Sequence, residues 1–386
     1  MQLSRAGILF GHQQRSGRLA LAALAGLSGC AVNQAAFAQS GGPTIPLSAV
    51  AQASGATITR SAGIDFVTIG SPGNTPWQGN GTPGDRARNR GGVNYEYRIG
   101  RFEVNTTQWV EFFNAAFDRP ANDRIPYLIP PTFWGAAGAA ATQPGGQRWR
   151  VPAGNEMRAV SQIDWRMAAI YCNWLHNDKR TDRAAFLDGA YNVGSFGYNR
   201  DVFLDQAAHH SGARYWIPTW DEWLKAAHFD PNRNGPGQAG FWTYSTTSDA
   251  RPLGGPPLSR GGNGEANYGW DAGPIFGSPF TVPLGAYPTV QSPWGLLDTS
   301  GGTSEWTESI SSSDGFDRYR IVDGSTYGGP QFDGITDRIS TYFADEFPSI
   351  SSIDFGFRIA TSVPSPCGCV AFGLSSLWIL RRRRTS

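Results

Sequence analysis

The sequence predicts a loop-rich domain that mixes short helices and strands, and three observations predict it. The 386 residues include 49 glycines and 26 prolines beside 14 tryptophans, 13 tyrosines and 22 phenylalanines. So many chain-breakers with so many large rings imply irregular segments pinned by aromatic packing. Helix starts are written in side-chain chemistry at Asn105, Asp164 and Thr219. Between them run short alternating stretches bounded by Gly and Pro, which read as strands. The length is ample for a real core, in one large domain or two smaller ones.

Each element follows in order. From Ser40 to about Arg60 the chain is small and polar, a leader segment or a first strand. Ile64 to Ile69 (IDFVTI) alternates as a strand does and runs into the turn Gly70-Ser71-Pro72-Gly73-Asn74. Residues 75–94 form a Gly- and Arg-rich loop, in which Arg86, Arg88 and Arg90 read as solvated side chains rather than an anion site. Tyr95 to Val104 (YEYRIGRFEV) reads as a further strand. Asn105-Thr106-Thr107-Gln108 is a capping box, and the helix it opens places Trp109, Phe112, Phe113 and Ala116 on one core-facing side.

Residues 118–155 read as an insertion rich in Pro, Gly and Ala. The helix starting at Asp164 buries Met167, Ile170, Tyr171 and Trp174, with Cys172 beside them as a small packed hydrophobe. Pro218 ends a strand, and Thr219 with Glu222 makes a second capping box, which gives Glu222 a structural role. A long Gly/Pro loop region, 230–292, holds Asn267-Tyr268, and Asp354 to Ala360 (DFGFRIA) reads as a closing strand.

The chain is organised around Pro293 to Trp306, PWGLLDTSGGTSEW. A Gly-Gly turn lets the backbone fold sharply there, and Glu305 follows it beside Trp306. A carboxylate held after such a turn is either a hard-cation ligand or part of an ordinary buried loop anchored by two tryptophans.

The formal charge of +1 conceals an acidic body. Seven arginines (Arg5, Arg15, Arg18 and Arg381 to Arg384) lie in terminal segments without acids; setting them aside leaves 25 basic side chains against 31 acidic ones, a net −6. That balance argues against nucleic acid as a partner. Of the four cysteines only Cys172 lies in the body, so no disulfide framework is expected. No phosphate loop is present, since neither Lys179 nor Lys225 follows a glycine, and no zinc spacing occurs. His209 and His210 would point apart in a strand.

Residues 1–38 read as an export signal: Arg15 and Arg18, an apolar run Leu19 to Leu27, and the cleavage site Ala36-Phe37-Ala38. Leu27-Ser28-Gly29-Cys30 resembles a bacterial lipobox and offers a competing processing site. At the other end Val363-Pro364-Ser365-Pro366 precedes a short apolar run, Cys367 to Leu380, and four arginines. That run is shorter than the ~20 residues of a full span. The arrangement resembles PEP-CTERM sorting tails, with Ser365 in place of the usual Glu. It implies sorting to the envelope or surface by exosortase-type machinery, with the tail in the membrane at least transiently.

Five segments, in order, resemble the formylglycine-generating-enzyme-like (sulfatase-modifying-factor) family. They are YRIGRFEVNTTQW (97–109), DWRMAAIYCNWL (164–175), YWIPTWDEWLKAA (215–227), PWGLLDTSGGTSEW (293–306) and DFGFRIA (354–360). The fourth is similar to the family signature GLxDMxGNVWEW. The resemblance implies a compact α+β fold related to C-type lectins over 64–361, after a leader at 39–63 and before the tail at 362–386.

Family oxidases hold copper with two cysteines near the end of the domain, and this chain has no cysteine between Cys172 and Cys367. No copper is therefore expected. The histidines of the iron-dependent branch, and the helical domain that carries them, have no counterpart. The resemblance places structural calcium at Asn267, the Tyr268 carbonyl and Glu305, although the signature's asparagine is Gly302 here. Three readings follow. One is a non-catalytic, surface-sorted module that binds a protein or polysaccharide through aromatic loops carrying Trp77, Trp134, Trp242 and Trp270. The alternatives are a divergent formylglycine-generating oxidase and a purely structural envelope protein.

Overall fold

The computed structural model describes residues 56–81, 85–132, 134–138, 147–200, 202–255, 257, 265–266, 279–311, 319–327, 337–341 and 344–364. The expected export signal, Cys30, Asn267, Tyr268, Trp270 and the tail from Ser365 onward lie outside these residues.

The principal strands are β1 (Ile58–Ser61), β2 (Ile64–Ile69), β3 (Tyr97–Gly100), β4 (Tyr215–Trp216) and β5 (Ser304–Ser311). They continue as β6 (Tyr319–Asp323), β7 (Ala344–Glu346), β8 (Phe355–Gly356) and β9 (Ala360–Ser362). Among the described residues three longer helices join them: α1 (Thr106–Ala116), α2 (Trp165–His176) and α3 (Trp220–His228). One sheet has the order β1-β2-β3-β9-β4 and is antiparallel throughout. A second, four-stranded sheet has the order β7-β6-β5-β8, with β8 parallel to β5, and four two-stranded sheets lie outside these two among the described residues.

The helices begin where their caps dictate. The Asn105 side chain accepts from the Gln108 amide at 3.0 Å, and the Gln108 side chain accepts from the Asn105 amide at 3.1 Å. Asp164 accepts from the Met167 amide at 2.7 Å to start α2. At α3, Thr219 and Glu222 exchange the same pair of bonds as the first box. Each cap satisfies amides that have no partner inside the helix.

The apolar faces of α1 and α2 meet in a ring cluster. Trp109 lies 4.8 Å from Phe112, Phe112 lies 5.2 Å from Tyr171, and Trp109 reaches Phe357 at 5.8 Å between centroids. Trp109, Phe112, Phe113 and Phe357 are fully buried. Offset and edge-on pairs of this kind add about 0.5–1.5 kcal/mol each beyond the area they bury. Trp134 belongs to this core as well, packed against Phe113 and Trp149, which corrects its expected place on a ligand-facing loop.

Two strands are shorter than the sequence pattern suggests, for the same reason. The run 95–104 is a strand only at Tyr97–Gly100; beyond it the backbone changes partner, Arg101 N donating to Asp65 O and Val104 N to Phe357 O. The run 354–360 splits into β8 in one sheet and β9 in the other. Residues Phe357 to Ile359 cross between the sheets, and Gly356 starts the crossing. A Cβ there would stand 2.1 Å from Thr303 Oγ1 and 2.8 Å from Val160 O, so only glycine fits. His209 and His210 lie in no strand. Among the described residues no helix is long and apolar enough to cross a membrane.

Candidate functional site

Glu305 is placed by β5, opposite Asp323 of β6 and Gly356 of β8, and is 1% exposed. Both its oxygens are engaged. Arg358 Nη2 donates to Oε1 and Nε to Oε2, each at 2.5 Å, and Trp223 Nε1 donates to Oε2 at 2.9 Å. The remaining Arg358 donors reach the carbonyls of Gly100 and Arg101 on one side and of Leu297 and Asp298 on the other. Arg358 sits on the crossing between the sheets, so one guanidinium ties β3, β5 and the 297–298 loop together. Burial works to lower its pKa, but the Glu305 carboxylate overrides this and the net shift is upward.

Glu103 lies beside this pair. Thr303 donates to it twice, from Oγ1 at 2.6 Å and from the amide at 3.2 Å. Burial, then the neighbouring Glu305 charge, hold the Glu103 carboxyl well above the usual range, against the Thr303 bonds. Gly302 stands at the position of the signature's asparagine, with φ +77°, and a Cβ there would come within 2.7 Å of Glu103 Oε1. A side chain at position 302 would have to displace the Glu103 carboxyl.

Asn267 and Tyr268 lie outside the described residues, so the structure does not bring the three expected calcium ligands together for inspection. Of the aromatic candidates, Trp242 is half-buried, with its indole N–H on Asp230 and Arg233 over its ring. Arg90 pairs with Asp221 at 3.1 Å and lies over Trp220, while Arg86 reaches Asp345 at 3.5 Å; both are tied to the body rather than merely solvated. His209 stacks on Trp216 at 4.6 Å, and its Nδ1 lies 2.9 Å from Oε1 of buried Glu308, which also accepts from Tyr191 Oη at 2.8 Å. Burial alone would lower the His209 pKa; Glu308 overrides it and raises the value.

The surface offers a different kind of site. The 71–78 loop and the chain from Phe229 to Phe241 enclose a cleft of about 660 Å³, walled by Trp77, Pro231, Phe241, Gln78 and Arg233. Trp77 is pinned by its indole N–H on Asp85 Oδ2 at 3.0 Å and by an edge-on contact with Phe241 at 6.0 Å. A second cleft of about 530 Å³ shares Gly73, Asn74 and Pro76 with the first and is walled by Asn94, Tyr95, Asp221 and Ser309.

Asn74 ties the 71–78 loop to residues 91–93, donating to Gly91 O at 2.8 Å and accepting from Val93 N at 3.1 Å. Buried Lys225 does the same from below, donating to Ser71 O and Val93 O, with its pKa pushed down to about 8 by burial against the pull of Glu96. Sequence reading singled out Trp77 but missed Tyr95, Asn74 and Lys225. Their partners are 17 to 154 residues away, beyond any local pattern.

The model of the sulfatase-modifying factor enzyme 1-like domain matches residues 67–363. No curated protein matches the sequence. Among solved structures, the chain is similar to Treponema denticola variable protein 1 at 17% identity, over 80% of this chain and 99% of that one, with a TM-score of 0.44. It is similar to CarF at 18% identity, over 78% and 99%, TM-score 0.45. PvdO from Pseudomonas aeruginosa follows at 16%, over 80% and 98%, TM-score 0.42.

Proposed function

The chain belongs to the sulfatase-modifying factor enzyme 1-like domain family, and from that premise we propose that it is an exported, envelope-sorted binding module rather than a formylglycine-generating oxidase. The observation that carries this reading is the state of its cysteines. The resemblance requires a thiolate pair for copper, and soft thiolates are not easily replaced as Cu(I) ligands. Among the described residues Cys172 is the one cysteine, fully buried in α2, with burial and then Glu308 pushing its thiol well above the ordinary value. Its three counterparts, Cys30, Cys367 and Cys369, belong to the terminal segments. The residues present do not fit the copper centre.

Binding suits a domain with two adjoining clefts at its surface, the larger in the size range of small-molecule sites. Export rests on the signal at 1–38, and sorting on the proline motif, apolar run and arginines of the tail. The test is metal analysis of the purified full-length chain by mass spectrometry, together with an aldehyde assay on a cysteine-containing peptide. The expected result is neither stoichiometric copper or iron nor aldehyde. Copper or iron near one per chain with aldehyde formation would replace the binding module by an oxidase with unfamiliar ligands.

A further inference from the structure

We infer that the two clefts on either side of the 73–76 loop form one groove for an uncharged polysaccharide chain, with Trp77 and Tyr95 as its two stacking platforms. This rests on the binding-module reading and adds the ligand class to it.

Three observations carry the inference. The first is continuity: both clefts are walled by Gly73, Asn74 and Pro76, so a single chain crossing that ridge occupies both. The second is the state of the rings. Tyr95 is 45% exposed, yet its hydroxyl is fixed on Glu222 Oε1 at 2.9 Å and its ring is set edge-on to Tyr97 at 6.0 Å. Trp77 is fixed at its indole N–H and held edge-on to Phe241. A ring already held in place loses little rotamer freedom when a ligand lands on it, and an amphipathic ring suits a sugar's apolar face and polar rim.

The third observation is charge. Each cleft has one charged side chain in its wall, and each is already compensated. Arg233 Nη2 lies 2.6 Å from Asp249 Oδ2; Asp221 holds Arg90 at 3.1 Å and accepts from Gly91 N at 2.7 Å. A charged ligand would meet a counter-ion already in place in either cleft, whereas hydroxyls can use the amide of Asn94 and the backbone of the ridge. Nucleotides, phosphopeptides and acidic polymers are disfavoured by the same count.

The experiment is affinity electrophoresis of the full-length chain in gels containing a neutral glucan, a neutral mannan, a neutral galactan, an alginate or a chitosan. At least one neutral polymer is expected to retard the protein, with no loss on adding salt, while alginate and chitosan do not. Trp77→Ala and Tyr95→Ala should each weaken that retardation about tenfold or more, as truncating an anchor residue does. Trp77→Phe keeps the ring and should retain most of the binding, which guards against a folding artefact.

Retardation only by a charged polymer, retardation by none of the five, or full binding by folded Trp77→Ala and Tyr95→Ala chains would each overturn the inference. Those failures differ from failure of the underlying reading, which is marked by bound copper or iron with aldehyde formation whatever the gels show.

Discussion

Arg358 and Glu305 meet in a two-pronged contact, 2.5 Å on each prong, at the point where the chain passes from one sheet to the other. Neither side chain is more than 1% exposed. Removing one partner strands the other in the interior, which costs about 3–5 kcal/mol. Arg358→Ala and Glu305→Gln should therefore each lower the unfolding free energy by that order in urea titrations. Replacing both together with apolar residues of matching volume should recover much of it. Equal losses in single and double variants would show that the pair is not the source.

Gly302 faces Glu103 so closely that a side chain there would displace the carboxyl. Restoring the asparagine of the family signature, Gly302→Asn, should destabilise the domain by about 1–3 kcal/mol through overpacking. Combining it with Glu103→Ala should return part of the loss. Thermal melts of the two single variants and the double variant give the comparison.

Asp164 caps α2, and burial pushes its carboxyl from 3.8 up to about 7, against the favourable bond from the Met167 amide. The native state thus keeps a proton that the unfolded chain gives up. Its contribution is full below pH 3.8 and is lost as pH rises through about 7. Asparagine caps as well as aspartate and does not titrate. Stability of Asp164→Asn minus that of wild type should therefore grow across this window, read from chemical denaturation at several pH values.

Calcium at Glu305 must compete with Arg358 for both carboxylate oxygens. A cation that binds weakly for this reason stabilises little; at a concentration equal to its Kd it adds about 0.4 kcal/mol. The melting midpoint should accordingly move by no more than a degree or two between EGTA and millimolar calcium. A larger rise, abolished by Asn267→Ala, would show that the Arg358 contact yields to the ion.

The sequence shows its local chemistry plainly and its long-range chemistry hardly at all. Asn105, Asp164 and Thr219 announce their helices because a cap acts within four residues. The apolar faces of α1 and α2 are legible for the same reason: periodicity is a local property. The strands at 95–104 and 354–360 are misjudged in length because pairing is chosen by partners far along the chain, Asp65 and Phe357 for the first and Ser304, Ile99 and Trp216 for the second. Glu305 looks like a loop carboxylate because nothing near it in sequence reveals Arg358, 53 residues on. The Trp77 cleft is invisible to the same reading, since its two walls are more than 150 residues apart.

The place of β9 between β3 and β4 has a consequence for timing. The edge strand β4 stays apart from β1-β2-β3 until residues 360–362 have been synthesised, 144 residues after Trp216. At translation speeds of about 5–20 residues per second that interval is on the order of ten seconds. Arg358, which ties the two sheets, arrives in the same last instalment. The nascent chain therefore cannot complete this sheet until residues 360–362 emerge, so its topology alone keeps the domain open late into synthesis.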